Sequence, residues 1–257
     1  MLALLRLYAR MPLRLLHALG AAMGWVVYGL SPSYRRRLKE NAGRAGVGLA
    51  QQRAAVAQAG RMAAEVPWLW LAPADRPISS RVRWQGREVL EQALQAGRGV
   101  VILTPHLGSF EVLGQAYAEA YGARAPMTAL YRPARKALLR QLEETSRHRP
   151  GLLTAPANLA GVRQIIRALR RGQTTCLLPD QVPPQGQGVW APFFGAPAYT
   201  MTLAWRLLEQ SGAQPVLAWC ERLPQSRGWV LHLMRPQDVS PQPLEPSAAE
   251  MPSHALT

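Results

Sequence analysis

Short apolar runs of strand length alternate with helical segments along most of this chain, and that alternation limits the fold more than any other feature. Residues 81–84, 100–103, 126–131, 152–154, 174–178, 215–221 and 229–234 read as strands. Between or beside them, 38–71, 87–96, 109–120, 134–148, 161–171 and 200–210 carry helical periodicity, several closed by glycine. Strands interleaved with helices predict an α/β fold: a mainly parallel sheet flanked by helices. With 257 residues, 48% of them hydrophobic, the chain can bury a sizeable core and is most simply one domain with attachments.

The most informative stretch is 99–111. Val100 to Leu103 is an apolar run suited to a buried strand, and Pro105 and Gly108 break the pattern before the helix begins near Ser109. His106 therefore lies where a strand ends, and Glu111 in the first turn of the next helix. Catalytic and binding groups collect at the carboxyl ends of strands in such sheets. Two residues five apart cannot share a helix face at about 100° per residue. They meet only if the histidine is in the loop and the glutamate on the helix. A carboxylate accepting from one imidazole nitrogen fixes the tautomer and leaves the other as a general base for a hydroxyl proton. The alternative is a loop histidine beside a glutamate that only complements the helix dipole.

Net charge is +15, from 30 basic against 15 acidic residues, and lysine occurs only at Lys39 and Lys136. Arginine binds phosphates and carboxylates in bidentate fashion. The charge thus points to anionic partners: lipid headgroups, a phosphorylated substrate, an acidic carrier protein or nucleic acid. The last is disfavoured, because no basic–aromatic pattern of a nucleic-acid module is present. Cys176 and Cys220 both fall in strand-like apolar segments. They form neither a disulfide framework nor zinc spacing, and read as buried small hydrophobes compatible with a reducing compartment.

Residues 15–30 form an uncharged, mostly apolar stretch with Trp25 and Tyr28 near its end and Arg35, Arg36 and Arg37 just beyond. It falls slightly short of the roughly 20 residues that span a bilayer. A spanning helix, an interfacial helix and a cleaved signal peptide compete. The arginine cluster favours cytoplasmic retention and argues against export. A membrane anchor is the favoured expectation, with a buried amphipathic helix as the alternative.

Three further segments could carry chemistry. Arg132, after the 126–131 run, could face a phosphate or developing oxyanion, or be a surface turn residue. Asp180 and Gln181 end the 174–178 run and could hold a substrate hydroxyl or brace the His106 loop, or form an ordinary turn. Phe193 and Phe194 could line an apolar channel for an acyl chain, or pack a hydrophobic loop on the core.

Together these segments resemble the late acyltransferases of lipid A biosynthesis, the lauroyl/myristoyl acyltransferase family of Gram-negative bacteria. The resemblance runs from about residue 11 to 235. It rests on the apolar amino-terminal stretch, Pro105-His-Leu-Gly-Ser-Phe-Glu111, Tyr131-Arg-Pro133, Asp180-Gln181, and Pro192-Phe-Phe-Gly-Ala-Pro197 with Thr200. It implies an inner-membrane enzyme facing the cytoplasm that moves a fatty acyl group from acyl carrier protein to a hydroxyl of a lipid A precursor. His106 would be the general base and Glu111 would orient it and stabilise the imidazolium. Arg132 would contact phosphate or the oxyanion. Asp180 and Gln181 would support substrate or loop. No metal or cofactor is implied, because a thioester is already activated.

The implied division is a membrane anchor and basic flank over 1–37, an acyltransferase domain over 38–240 and a proline-rich tail over 241–257. The sequence departs from the family at Thr104-Pro105, where an asparagine usually precedes the histidine. It departs again at Ser109-Phe110, where Asn-Trp usually precedes the acid. Family members also continue further, through a helix to an aromatic and basic closing segment. The expectation here is a truncated reading frame or a divergent member. Two other readings stay open: acyl transfer to another lipid or glycan, and a non-catalytic membrane-associated protein that binds acyl carrier or anionic lipid.

Overall fold

The computed structural model describes residues 7–72, 76–131 and 150–239. After a helical stretch at residues 7–10 come α1 (Leu13–Leu30), α2 (Pro32–Arg44) and α3 (Leu49–Trp70). The α/β body follows as β1 (Val82–Gln85), α4 (Arg87–Gln95), β2 (Val100–Leu103), α5 (Glu111–Tyr121), β3 (Met127–Tyr131), β4 (Leu152–Pro156), α6 (Leu159–Arg170) and β5 (Thr174–Leu177). It closes with β6 (Gly188–Phe193), β7 (Ala196–Met201), α7 (Leu203–Ser211), β8 (Gln214–Arg222), β9 (Trp229–Met234) and α8 (Pro236–Val239). The expected helix at 134–148 and the tail from 240 lie outside the described residues, as does Arg132.

Seven strands form one sheet in the order β1-β9-β8-β2-β5-β3-β4. Every neighbouring pair is parallel except β8 and β9. The exception follows from chain length: only 223–228 join those two strands, and a parallel return needs a crossover of a dozen or more residues. β2 sits between β5 and β8, and Val100, Val101 and Ile102 are fully buried. A strand covered on both faces explains a continuous apolar run. Its side chains alternate between two cores. Val100 and Ile102 join Leu13, Trp68, Leu90 and Leu113 on one face. Val101 joins Ile165, Leu169 and Leu207 on the other.

The structure corrects one stretch of the sequence reading. Residues 190–195 are not a loop and Thr200 does not start a helix. β6 and β7 form a separate antiparallel hairpin in which Thr200 pairs with Val189. Phe194 and Gly195 make its two-residue turn, both at positive φ (47° and 74°), as a tight hairpin with the twist of its strands requires. Pro192 and Pro197 face each other across the ladder. Such prolines hide the strand signal, and a two-stranded ribbon has two free edges that tolerate them.

α1 packs along α3 through glycines. A Cβ at Gly60 would stand 2.1 Å from the Gly20 carbonyl oxygen and 2.7 Å from the Gly24 nitrogen. Gly60→Leu should therefore prise α1 from α3. The expected loss is about 1–3 kcal/mol or more, read as a lower urea midpoint. An unchanged midpoint would contradict this packing.

Candidate functional site

β2 and β5 are parallel neighbours, so the loops at their carboxyl ends lie side by side. One carries His106 and the other Asp180. The backbone N–H of His106 donates to Asp180 Oδ2 at 2.8 Å, and Nδ1 lies 2.7 Å from Asp180 Oδ1. One carboxylate thus holds both the loop backbone and the ring. Because the carboxylate accepts, Nδ1 carries the proton and Nε2 keeps its lone pair. Gln181 Nε2 lies 3.4 Å from that Nε2, and the Phe110 ring meets the imidazole edge to face at 4.9 Å. The His106 side chain remains 34% exposed, open to an incoming group.

Glu111 opens α5, and its Oε2 accepts from Trp70 Nε1 at 3.0 Å. Among the described residues the hydrogen bonds of the His106 ring go to Asp180 and Gln181. Phe193 and Phe194 sit at the hairpin tip, 64% and 60% exposed, their rings edge to face at 4.7 Å. They are not packed on the core. Burial, with the charge of Glu111 adding to it, pushes the Cys176 thiol up to about 12. Burial pushes Cys220 up as well. Neither thiol is a nucleophile at neutral pH. Among the described residues no group of three or more His, Cys, Asp or Glu is placed to hold a metal.

A second polar cluster lies behind the loop, unanticipated from the sequence. Glu65, on α3, is 1% exposed. It accepts from Arg222 Nε and Nη2 at 2.6 Å each and from the Ser109 hydroxyl at 2.7 Å. His17 Nε2 on α1 lies 2.6 Å away, and Trp229 Nε1 donates at 3.3 Å. The available signal was a lone acid, Glu65, inside an apolar stretch of α3. Burial would raise its pKa, but hydrogen bonds from Arg222, His17 and Ser109 and the Arg222 charge reverse this and hold it at about 2 against an ordinary 4.5. The folded chain then binds this proton less readily than the unfolded one. Its contribution is complete above about pH 4.5 and is lost as pH falls towards 2. The expected acid loss is on the order of 3 kcal/mol. Urea unfolding across that window should show it in the wild type and not in Glu65→Leu/Arg222→Met. Equal acid slopes would contradict it.

An open, mainly parallel sheet with a carboxylate-held histidine at the end of its central strand defines an α/β protein equipped to take a proton from a bound hydroxyl. The chain belongs to the family of bacterial lipid A biosynthesis acyltransferases, which it matches over residues 1–253. It is 28% identical over 183 residues to the lipid A biosynthesis lauroyltransferase of Escherichia coli K12, covering 71% of this chain and 56% of that protein. To the palmitoleoyltransferase of the same strain it is 27% identical over 188 residues, covering 72% and 58%. A Haemophilus influenzae lipid A biosynthesis acyltransferase is 29% identical over 127 residues, covering 49% of this chain and 38% of that protein. The chain thus spans little more than half the length of the two Escherichia coli relatives.

Proposed function

We propose that this protein transfers a fatty acyl group from an acyl carrier protein thioester to a hydroxyl of an anionic lipid A precursor. The observation that carries this is the His106–Asp180 pair at the carboxyl end of β2, in a chain of this family. Nε2 of His106 takes the proton from the acceptor hydroxyl as its oxygen attacks the thioester carbonyl carbon. The carbon–sulfur bond of the tetrahedral intermediate then breaks. The leaving thiolate takes the proton back from the imidazolium, giving an ester and a free carrier thiol. Asp180 keeps Nδ1 protonated and stabilises the imidazolium. Glu111 adds negative charge near the loop, and Arg132 meets a phosphate or the oxyanion. Gln181 steadies Nε2, and Phe193 and Phe194 contact the acyl chain.

The protein is placed at the inner membrane, facing the cytoplasm, with α1 as its anchor. Met23, Val26, Val27 and Leu30 are exposed, which suits a lipid-facing surface. α1 is long and apolar enough to cross a membrane by length and composition alone. His17, however, is tied to Glu65 inside the body, and Gly20 and Gly24 pack on α3, so at most residues 18–30 could enter lipid, by the face turned away from α3. At about 1.5 Å per residue they reach about 20 Å, short of a hydrocarbon core of about 30 Å. Interfacial seating is therefore preferred to spanning.

Membranes carrying the protein are to be incubated with labelled acyl carrier thioesters and a Kdo-bearing tetra-acylated lipid A precursor, and products identified by mass. A precursor heavier by one acyl group is expected. No product from folded, membrane-bound protein across several chain lengths would overturn the reading. In the same assay Asp180→Asn should lower kcat by about 100-fold or more. The His106 backbone and ring meet different oxygens of Asp180, and asparagine replaces one of them with an NH2, which cannot accept. A loss below threefold would remove Asp180 from the mechanism.

A further inference from the structure

We propose that Glu65 is a positioning residue for the His106 loop, holding it through Ser109 and tying it to α1 through His17. This rests on the acyltransferase reading above. Ser109 lies three residues after His106, just before α5, and is held by both side chain and backbone. Its hydroxyl donates to Glu65 and accepts from Trp229 Nε1 at 3.0 Å. Its backbone N–H donates to the Cys220 carbonyl at 2.9 Å. Gly108, between them, has φ +64°, and a Cβ there would stand 2.0 Å from the same carbonyl oxygen. The loop is pressed onto β8 with no room for a side chain. Asp180 grips its His106 end from the β5 side, and Glu65 grips its Ser109 end from the α3 side.

Stability alone does not account for the Glu65 cluster. A buried ion pair generally adds little over apolar packing of the same shape, because both charges must be desolvated. The groups joined here are telling: α1, α3, the catalytic loop, β8 and β9 all meet at one carboxylate. His17 Nδ1 also lies 2.8 Å from Ser226 Oγ, in the turn between β8 and β9. The seat of the apolar helix and the shape of the loop that carries the base therefore share an acceptor. An error of about 1 Å in such a loop can cost about 100-fold in rate.

The test uses the full-length protein with Ser109→Ala, which removes the loop bond and leaves the Glu65–Arg222 pair intact. Three quantities are read: kcat and KM for the carrier thioester, the melting temperature, and the rate at which diethyl pyrocarbonate modifies His106, located by peptide mass. The expectation is a kcat lower by about tenfold or more, KM within twofold, and a His106 modification rate changed at least threefold in protein that stays folded, with the melting temperature lowered because Glu65 and Trp229 each lose a partner. Values of kcat and modification rate both within twofold of wild type would overturn the proposal. Should Ser109→Ala not fold, Ser109→Cys takes its place with the same expectation, since a thiol keeps the shape but donates weakly. His17→Leu should lower kcat, His17→Gln should restore most of it by donating an amide hydrogen to Glu65, and Ser109→Ala should add little to His17→Leu. Full additivity would break the tie to α1. If the wild type transfers no acyl group, the reaction assignment fails, and the modification rates still decide the positioning.

Discussion

His106→Ala should reduce acyl transfer by about 100- to 10,000-fold, the range expected when a positioned general base is removed. The fall should be in kcat, with KM for the thioester little changed, because in the proposed mechanism His106 moves protons during the chemical step and does not hold the ground-state thioester. Folding should survive. The ring is one-third exposed, and the Asp180 carboxylate can still accept from the backbone N–H of residue 106. Wild-type activity beside a folded, inactive variant would separate an enzyme from a protein that only binds carrier or anionic lipid, for which this substitution would be silent. A folded variant within threefold of wild type would remove His106 from the chemistry.

Arg222→Met should be the most destabilising single change at the buried cluster, at about 3–5 kcal/mol. Arg222 supplies two of the donors to Glu65, and both side chains are nearly inaccessible to water. Removing it strands a carboxylate that has little else to offset its desolvation. His17 and Ser109 would hold it only in part. The double change Glu65→Leu/Arg222→Met should recover most of the loss, since the charge is then gone rather than unpaired. Urea unfolding of the wild type and these two variants measures this. A single variant within 1 kcal/mol of wild type would show that the pair is not needed to keep the Glu65 charge buried.

The two expectations differ in how far the sequence foretold them. His106 could be placed from local pattern alone, because an apolar run, a proline, a glycine and a helical period define a strand, a loop and a helix within a dozen residues. The partner of its ring could not. The spacing drew attention to Glu111, the acid close by in sequence. The carboxylate that meets Nδ1 in the fold is Asp180, which the sequence reading offered for a substrate hydroxyl or for bracing the His106 loop, not for the ring itself. Glu65 was harder still. An acid amid alanines on a helix reads as a solvated face until Arg222 and Trp229 are brought against it from the far end of the chain. The β6–β7 hairpin escaped because Pro192 and Pro197 mask its alternation and its turn uses phenylalanine at a left-handed φ rather than the usual Asn-Gly.

By itself, the sequence determined most of the elements: the runs that form the large sheet, that they alternate with helices into a mainly parallel sheet, that an apolar helix precedes them, and that a histidine follows a buried strand. These follow from periodicity and turn chemistry, which act over a few residues. Tertiary structure alone decided which strands became neighbours, and so which acid faced the imidazole, which buried carboxylate gripped the loop, and where α1 was seated. In a parallel sheet, adjacent strands are separated by whole crossovers, so strand order is set by burial and loop closure over the entire chain.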